Sequence, residues 1–241
     1  MRLSHLMLLL ALLLAGFVPG PGAQAAAGPS GHWEGKIQIP ERVIAFSVDL
    51  AQDPAGAWIG SLTIKGATAV DVPLAEISVK DAAVRFTARL PGTTVFEGSL
   101  SADANSLTGK VSSVEGAVPF ELARSGRANV KLPPASSALS KEFEGTWEGA
   151  VVADGNTRRI VLKLSPAPDG TAKGLLVSVD KGNLEIPVTT VTIKGNQLEL
   201  DARVVGGTYR GTLGANGEIA GEWGETLARL PLTFKRAAAG R

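Results

Sequence analysis

Hydrophobic and polar residues alternate along most of this chain with a period of two. In Trp33-Glu34-Gly35-Lys36-Ile37-Gln38-Ile39, Trp33, Ile37 and Ile39 fall on one side, and Glu34, Lys36 and Gln38 on the other. The next run places Ile44, Phe46, Val48 and Leu50 together. A later stretch repeats it as Ile160, Leu162 and Leu164, with Arg158 departing at the first position. This is the signature of antiparallel strands with one buried face. Between the runs stand Asp154-Gly155-Asn156, Pro168-Asp169-Gly170, Lys194-Gly195-Asn196, Gly206-Gly207 and Asn216-Gly217, pairs that supply the positive φ angles of tight hairpins. No sustained 3.6-residue apolar period occurs beyond the first residues. Roughly nine short strands per half predict a small barrel or sandwich.

The halves are copies of each other. Gly31-His32-Trp33-Glu34-Gly35 returns as Gly145-Thr146-Trp147-Glu148-Gly149, so Trp33 and Trp147 stand 114 positions apart. Leu50 and Leu164, Gly60 and Gly174, and Pro73 and Pro187 keep that offset. It slips by one at Phe96-Glu97-Gly98 and Tyr209-Arg210-Gly211, and once more at Gly109 and Gly221, Pro119 and Pro231, and Arg124 and Arg236. Register held over such a length marks an internal duplication. The expected fold is all-β, two tandem small antiparallel β-barrels.

The N-terminus reads as a cleaved export signal. Arg2 precedes the apolar run Leu6 to Val18, and Ala23-Gln24-Ala25 offers a cleavage site after Ala25. The expected organisation is a leader at 1–25, a tail at 26–30, a first barrel at 31–124, a linker at 125–141, a second barrel at 142–236 and a C-terminal tail at 237–241. The linker contains Pro133-Pro134, is rich in Ser and Ala, and lacks apolar alternation, so it reads as exposed and partly extended. Of 24 basic and 23 acidic residues only Arg2 falls in the leader, leaving 23 of each in the mature chain. That balance speaks against nucleic acid or an anionic membrane surface as a partner. With no transmembrane segment expected after the leader, the predicted location is the periplasm or outside the cell. The chain has no cysteine, which excludes disulfides, thiol nucleophiles and cysteine metal sites.

Six motifs in the second half fall in a recognisable order. They are Gly145-x-Trp147-x-Gly149, Ser178-x-Asp180-x-Gly182, Ile186-Pro187-Val188, Tyr209-x-Gly211, Gly217-x-Ile219-x-Gly221 and Leu230-Pro231-Leu232-x-x-Lys235-Arg236. This series resembles the small all-β accessory domain found ahead of secreted bacterial serine hydrolases of the esterase or β-lactamase type. The first half resembles it less, with Ile64-Lys65-Gly66-Ala67-Thr68 where the Ser-x-Asp-x-Gly loop would be. The resemblance implies an accessory, non-catalytic domain, present twice and without its hydrolase. A looser similarity is to lipocalin-like (calycin) barrels, in which a Gly-x-Trp on the first strand is covered by an arginine after the last. That similarity implies structural closure by Trp33 with Arg124 and by Trp147 with Arg236.

Catalytic chemistry is sparse. His32, the one histidine of the mature chain, is expected on the outward, solvated face of the first strand. Ser178-Val179-Asp180-Lys181 matches S-x-x-K, but a strand running into a turn would put Ser178 and Lys181 on opposite sides, and no K-T-G accompanies it. Glu34, Glu148 and Glu218 are scattered strand carboxylates. No calcium loop or phosphate cradle is present, so no metal or cofactor is expected. Trp58 and Trp223 lack a counterpart in the other half. Each is expected in a core, or else at a barrel mouth facing a ligand. Trp58, Trp223, Asp180 and Lys181 are therefore the ligand-binding candidates. The expected function is a non-catalytic envelope protein that binds an apolar or envelope-derived small molecule or docks on a separate protein such as a hydrolase. A lipocalin-like enzyme using carboxylates and a purely structural envelope protein are the alternatives.

Overall fold

Inward apolar rows and glycine turns assemble two barrel-like units. The structure, a computed structural model, describes residues 28–39, 42–113, 116–153, 155–225 and 228–238. The leader and its cleavage site after Ala25, the outer parts of both tails, and Asp154 of the first turn signal lie outside these residues. In the first unit β1 (Gly31–Ile39), β2 (Arg42–Gln52), β3 (Trp58–Ile64), β4 (Val72–Lys80), β5 (Ala83–Leu90), β6 (Gly92–Leu100), β7 (Ser106–Ser113) and β8 (Gly116–Gly126) pair in sequence order, and β8 returns to β1 to close the barrel. The second unit has β9 (Gly145–Ala153), β10 (Asn156–Pro166), β11 (Ala172–Ser178), β12 (Leu184–Pro187), β13 (Thr190–Lys194), β14 (Gln197–Ala202), β15 (Gly207–Leu213), β16 (Ile219–Gly224) and β17 (Arg229–Arg236). These form one curled sheet in the order β12-β11-β10-β9-β17-β16-β15-β14-β13. Two single-turn 3-10 segments, Val179–Lys181 and Arg203–Val205, interrupt the strands. The fold is all-β in both units.

The units differ at their fourth strand. In the first, β4 meets β3 only at Ser61↔Pro73 and Leu62↔Val72, then meets β5 from Leu74 onward. A register shift between Ala75 and Ser78, with Glu76 at φ 49°, bends it from one neighbour to the other. In the second unit the same path is broken into β12, which pairs with β11 through Leu175↔Pro187, and β13, which pairs with β14. Breaking the strand leaves the second sheet without a closing ladder.

Residues 134–139 cover that seam, so the second half of the segment read as an exposed linker is tied down. Ser137 N–H donates to Val191 O (2.8 Å), Ala172 N–H donates to Ser137 O (2.7 Å), and the Ser136 and Ser137 hydroxyls accept from Val191 and Ile193 N–H (3.0 Å each). Serine hydroxyls and main chain satisfy the edge groups without any apolar pattern, which is why the pattern read as linker.

The units also touch. Ala69 and Val72 of the first pack with Val204 of the second, fringed by Ile64, Leu90, Ile186 and Val205. Thr68 Oγ1 donates to Val204 O at 3.4 Å, and Arg203 Nη1 donates to Asp71 O at 3.3 Å.

Candidate functional site: the open end of the first barrel

Each unit is sealed at one end by the same construction. Trp33 is fully buried, its Nε1 donates to Pro29 O (2.9 Å), and the Arg124 guanidinium lies 4.3 Å from its ring centroid. Arg124 in turn donates to the carbonyls of Gly28, Ser30 and Ala104, so the chain before β1 is strapped across the barrel end. Burial pushes the pKa of Arg124 down from its ordinary value. In the second unit Trp147 Nε1 donates to Phe143 O (2.9 Å), Arg236 sits at 4.3 Å, and its two Nη atoms reach Glu144 O and Glu142 O at 2.7 Å each. A guanidinium over an indole contributes about 0.5–2 kcal/mol, more as it is desolvated.

The other end of the first barrel is a cup. A cavity of about 520 Å³ opens where the β1–β2, β5–β6 and β7–β8 hairpins turn. Its floor is aromatic: Phe46 and Phe96 line it, braced by Phe86 (stacked on Phe96, 4.8 Å) and Phe120 (edge-on to Phe96, 5.6 Å). Ile37, Ile44, Leu62, Ile64, Leu90, Val111 and Val118 form the walls, and Ile39, Arg42, Thr94, Ser113, Gly116 and Ala117 the rim. Size and lining fall within the range of small-molecule sites, roughly 300–1,000 Å³ and mostly apolar.

The duplicate carries a bulkier side chain at the corresponding place. Phe96 faces Val111 across β6 and β7, while Tyr209 faces Trp223 across β15 and β16, so Trp223 stands where the cavity wall has Val111. Ala88 faces Thr94 and Ala202 faces Gly207, which sets Gly207 against Thr94. A Cβ on Gly207 would run into the Trp223 ring. The second unit has thus exchanged a Thr–Val pair for a Gly–Trp pair, and the indole occupies the interior. Trp223 is 6% exposed and donates from Nε1 to Glu225 Oε1 at 3.0 Å. Tyr209 is fully buried, its hydroxyl between Ile219 O (3.0 Å) and Leu232 O (3.2 Å), and burial pushes its pKa upward.

None of the four ligand candidates read from the sequence lines the cup. Trp58 is half-buried where β3 begins, opposite Gln52 and at the sealed end. Trp223 belongs to the second core. Asp180 and Lys181 lie in the 3-10 turn after β11, where Asp180 takes Arg159 Nε (3.0 Å), Nη2 (2.7 Å) and backbone N–H (2.6 Å). The hydrogen-bonded Arg159 side chain holds the Asp180 carboxyl below its usual range. The strand running into a turn is found where it was expected: β11 ends at Ser178, which is extended, and Val179–Lys181 form the 3-10 turn. The residues missed are Phe46, Phe96, Val111, Thr94 and Arg42, and for Thr94 and Val111 the signal that finds them is their exchange for Gly207 and Trp223 between the copies.

His32 lies on the outward face of β1, as expected, but it is partly buried there rather than fully solvated. Its Nδ1 meets Asp49 Oδ1 at 2.9 Å, its Nε2 faces Glu34 Oε1 at 3.7 Å, and Asn129 N–H donates to the same Asp49 oxygen at 2.7 Å. Both ring nitrogens face carboxylates, and neither is directed at a hydroxyl. The irregular segment around Asn129, beyond the end of β8, covers a face the sequence left to solvent. Among the described residues no cluster of three or more His, Asp or Glu could hold a metal, and no helix is long and apolar enough to cross a membrane.

No family model and no curated protein matches the chain. Among solved structures it is similar to a Bacteroides fragilis protein provisionally named an outer membrane protein (12% identity, TM-score 0.26, covering 86% of this chain and 95% of that one). Another is a protein of unknown function from the DUF3598 family of Nostoc punctiforme (14% identity, TM-score 0.23, covering 86% and 96%). Scores this low do not extend to a shared fold, and the architecture rests on the strand ladders alone.

Proposed function

We propose that this chain is an exported, non-catalytic binding protein that holds an apolar small molecule in the open end of its first barrel, with the second barrel as its filled structural partner. The observation that carries this is the pairing of one sealed end with one apolar cup of about 520 Å³ in the first unit. Transfer of an apolar group into such a site yields about 0.8 kcal/mol per buried methylene. What supports export is the sequence pattern of Arg2, the apolar run to Val18 and Ala23-Gln24-Ala25.

The test is mass spectrometry of small molecules released by solvent extraction from natively purified protein. A Thr94→Gly/Val111→Trp variant, which writes the second unit's pair into the first, serves as control. The expected result is an apolar compound near one per chain in the wild type and none in the variant. Equal recovery from both proteins would place the compound outside the cup and overturn the proposal.

A further inference from the structure

We infer that the cup selects a single-chain amphiphile with an anionic head group, the head held by Arg42 at the rim. This rests on the cup being a ligand site. Among the described residues lining the cavity, Arg42 is the one with a charged side chain. Alternation along β2 sets it in the inward row with Ile44 and Phe46, directly above the wall and floor. It is exposed, and among the described residues no carboxylate forms an ion pair with it.

The geometry of the barrel favours a chain. From Arg42 to Phe46 is four strand steps, or about 10 Å along the axis once strands tilt as they do in barrels. An eight-stranded barrel is only wide enough inside for side chains or one small ligand. A deep, narrow, apolar well suits an extended hydrocarbon chain. A guanidinium at its mouth can keep its stem on the apolar rim and its fork in water. There it pairs with a carboxylate or phosphate through two parallel hydrogen bonds, and a neutral head gives it nothing comparable.

The test is displacement of a neutral apolar probe, N-phenyl-1-naphthylamine, by dodecanoate, dodecyl phosphate and 1-dodecanol, each below its micelle threshold. Both anions are expected to displace the probe at about tenfold lower concentration than the alcohol, a difference of about 1.4 kcal/mol. That gap should shrink in 1 M salt, because the head site is wet. Arg42→Gln should bring the three within about twofold without moving the alcohol, and Thr94→Gly/Val111→Trp should abolish displacement by all three. The order of the two anions assigns the head as carboxylate or phosphate. Three equal midpoints in the wild type, still lost in the Gly–Trp variant, would overturn the head-group assignment and leave the cup standing. Probe binding that survives in the Gly–Trp variant, or no probe binding at all, would overturn both.

Discussion

The smallest elements that set this molecule's form are two tryptophan–arginine contacts. Trp147→Ala should cost about 3–5 kcal/mol, as large aromatic truncations in cores do. Arg236→Ala should cost less, because its guanidinium stays at the surface and only its contact with the ring and two carbonyls is lost. A double-mutant cycle by denaturant unfolding should give a coupling of about 0.5–2 kcal/mol, and additive losses would show the contact to be energetically inert. The Asp180 carboxyl offers a pH readout. Its folded pKa is lowered, so the pair with Arg159 stabilises above the unfolded value and is lost as pH falls through the folded one. Arg159→Gln should move that titration upward by NMR. The partners in both Trp–Arg contacts could be named because the lipocalin-like resemblance implies an arginine covering the first-strand tryptophan, and both residues recur in each half. The partial cover of His32 could not be read, because nothing in local alternation says that residues 127–131 fold back over β1 and β2. The sequence also left Trp223 open between core and mouth, since one copy alone does not say what an unmatched tryptophan displaces.

At the scale of strands, the duplication made the ladders legible and hid where they break. The same proline, Pro73 or Pro187, meets the upstream neighbour in each copy, yet one copy keeps a bulged β4 and the other divides into β12 and β13. Alternation cannot report this, because a bulge and a break leave nearly the same polarity pattern. The strap over the second seam was illegible for a related reason, since its contacts are made by hydroxyls and main chain. Ser137→Ala should expose the Ile193 N–H that its hydroxyl now accepts from, at a cost of about 1–3 kcal/mol if that group stays buried. Amide exchange at Ile193 should accelerate well before global unfolding. Unchanged protection there would mean the strap is not what satisfies this edge.

Taken whole, the molecule is one duplicated plan put to two uses, with an interior kept open in one unit and filled by an indole in the other. The contact through Ala69, Val72 and Val204 joins them beside the cup, since Ile64 and Leu90 both line the cavity and border that contact. Val204→Lys should therefore weaken probe binding severalfold while each unit keeps its own cooperative transition, and unaltered affinity would separate the cup from its neighbour. Division of the chain after Leu132 leaves residues 134–139 with the second unit, and both halves should then fold, because each retains its own core. The central claim, that the first barrel's open end takes an apolar ligand, is tested most directly by methyl NMR of the intact protein titrated with N-phenyl-1-naphthylamine. Saturable shifts should appear at Ile44, Leu62, Ile64 and Val111, with Leu162, Leu198 and Leu200 of the second core unmoved. Shifts confined to the second unit, or none at saturation, would contradict the account.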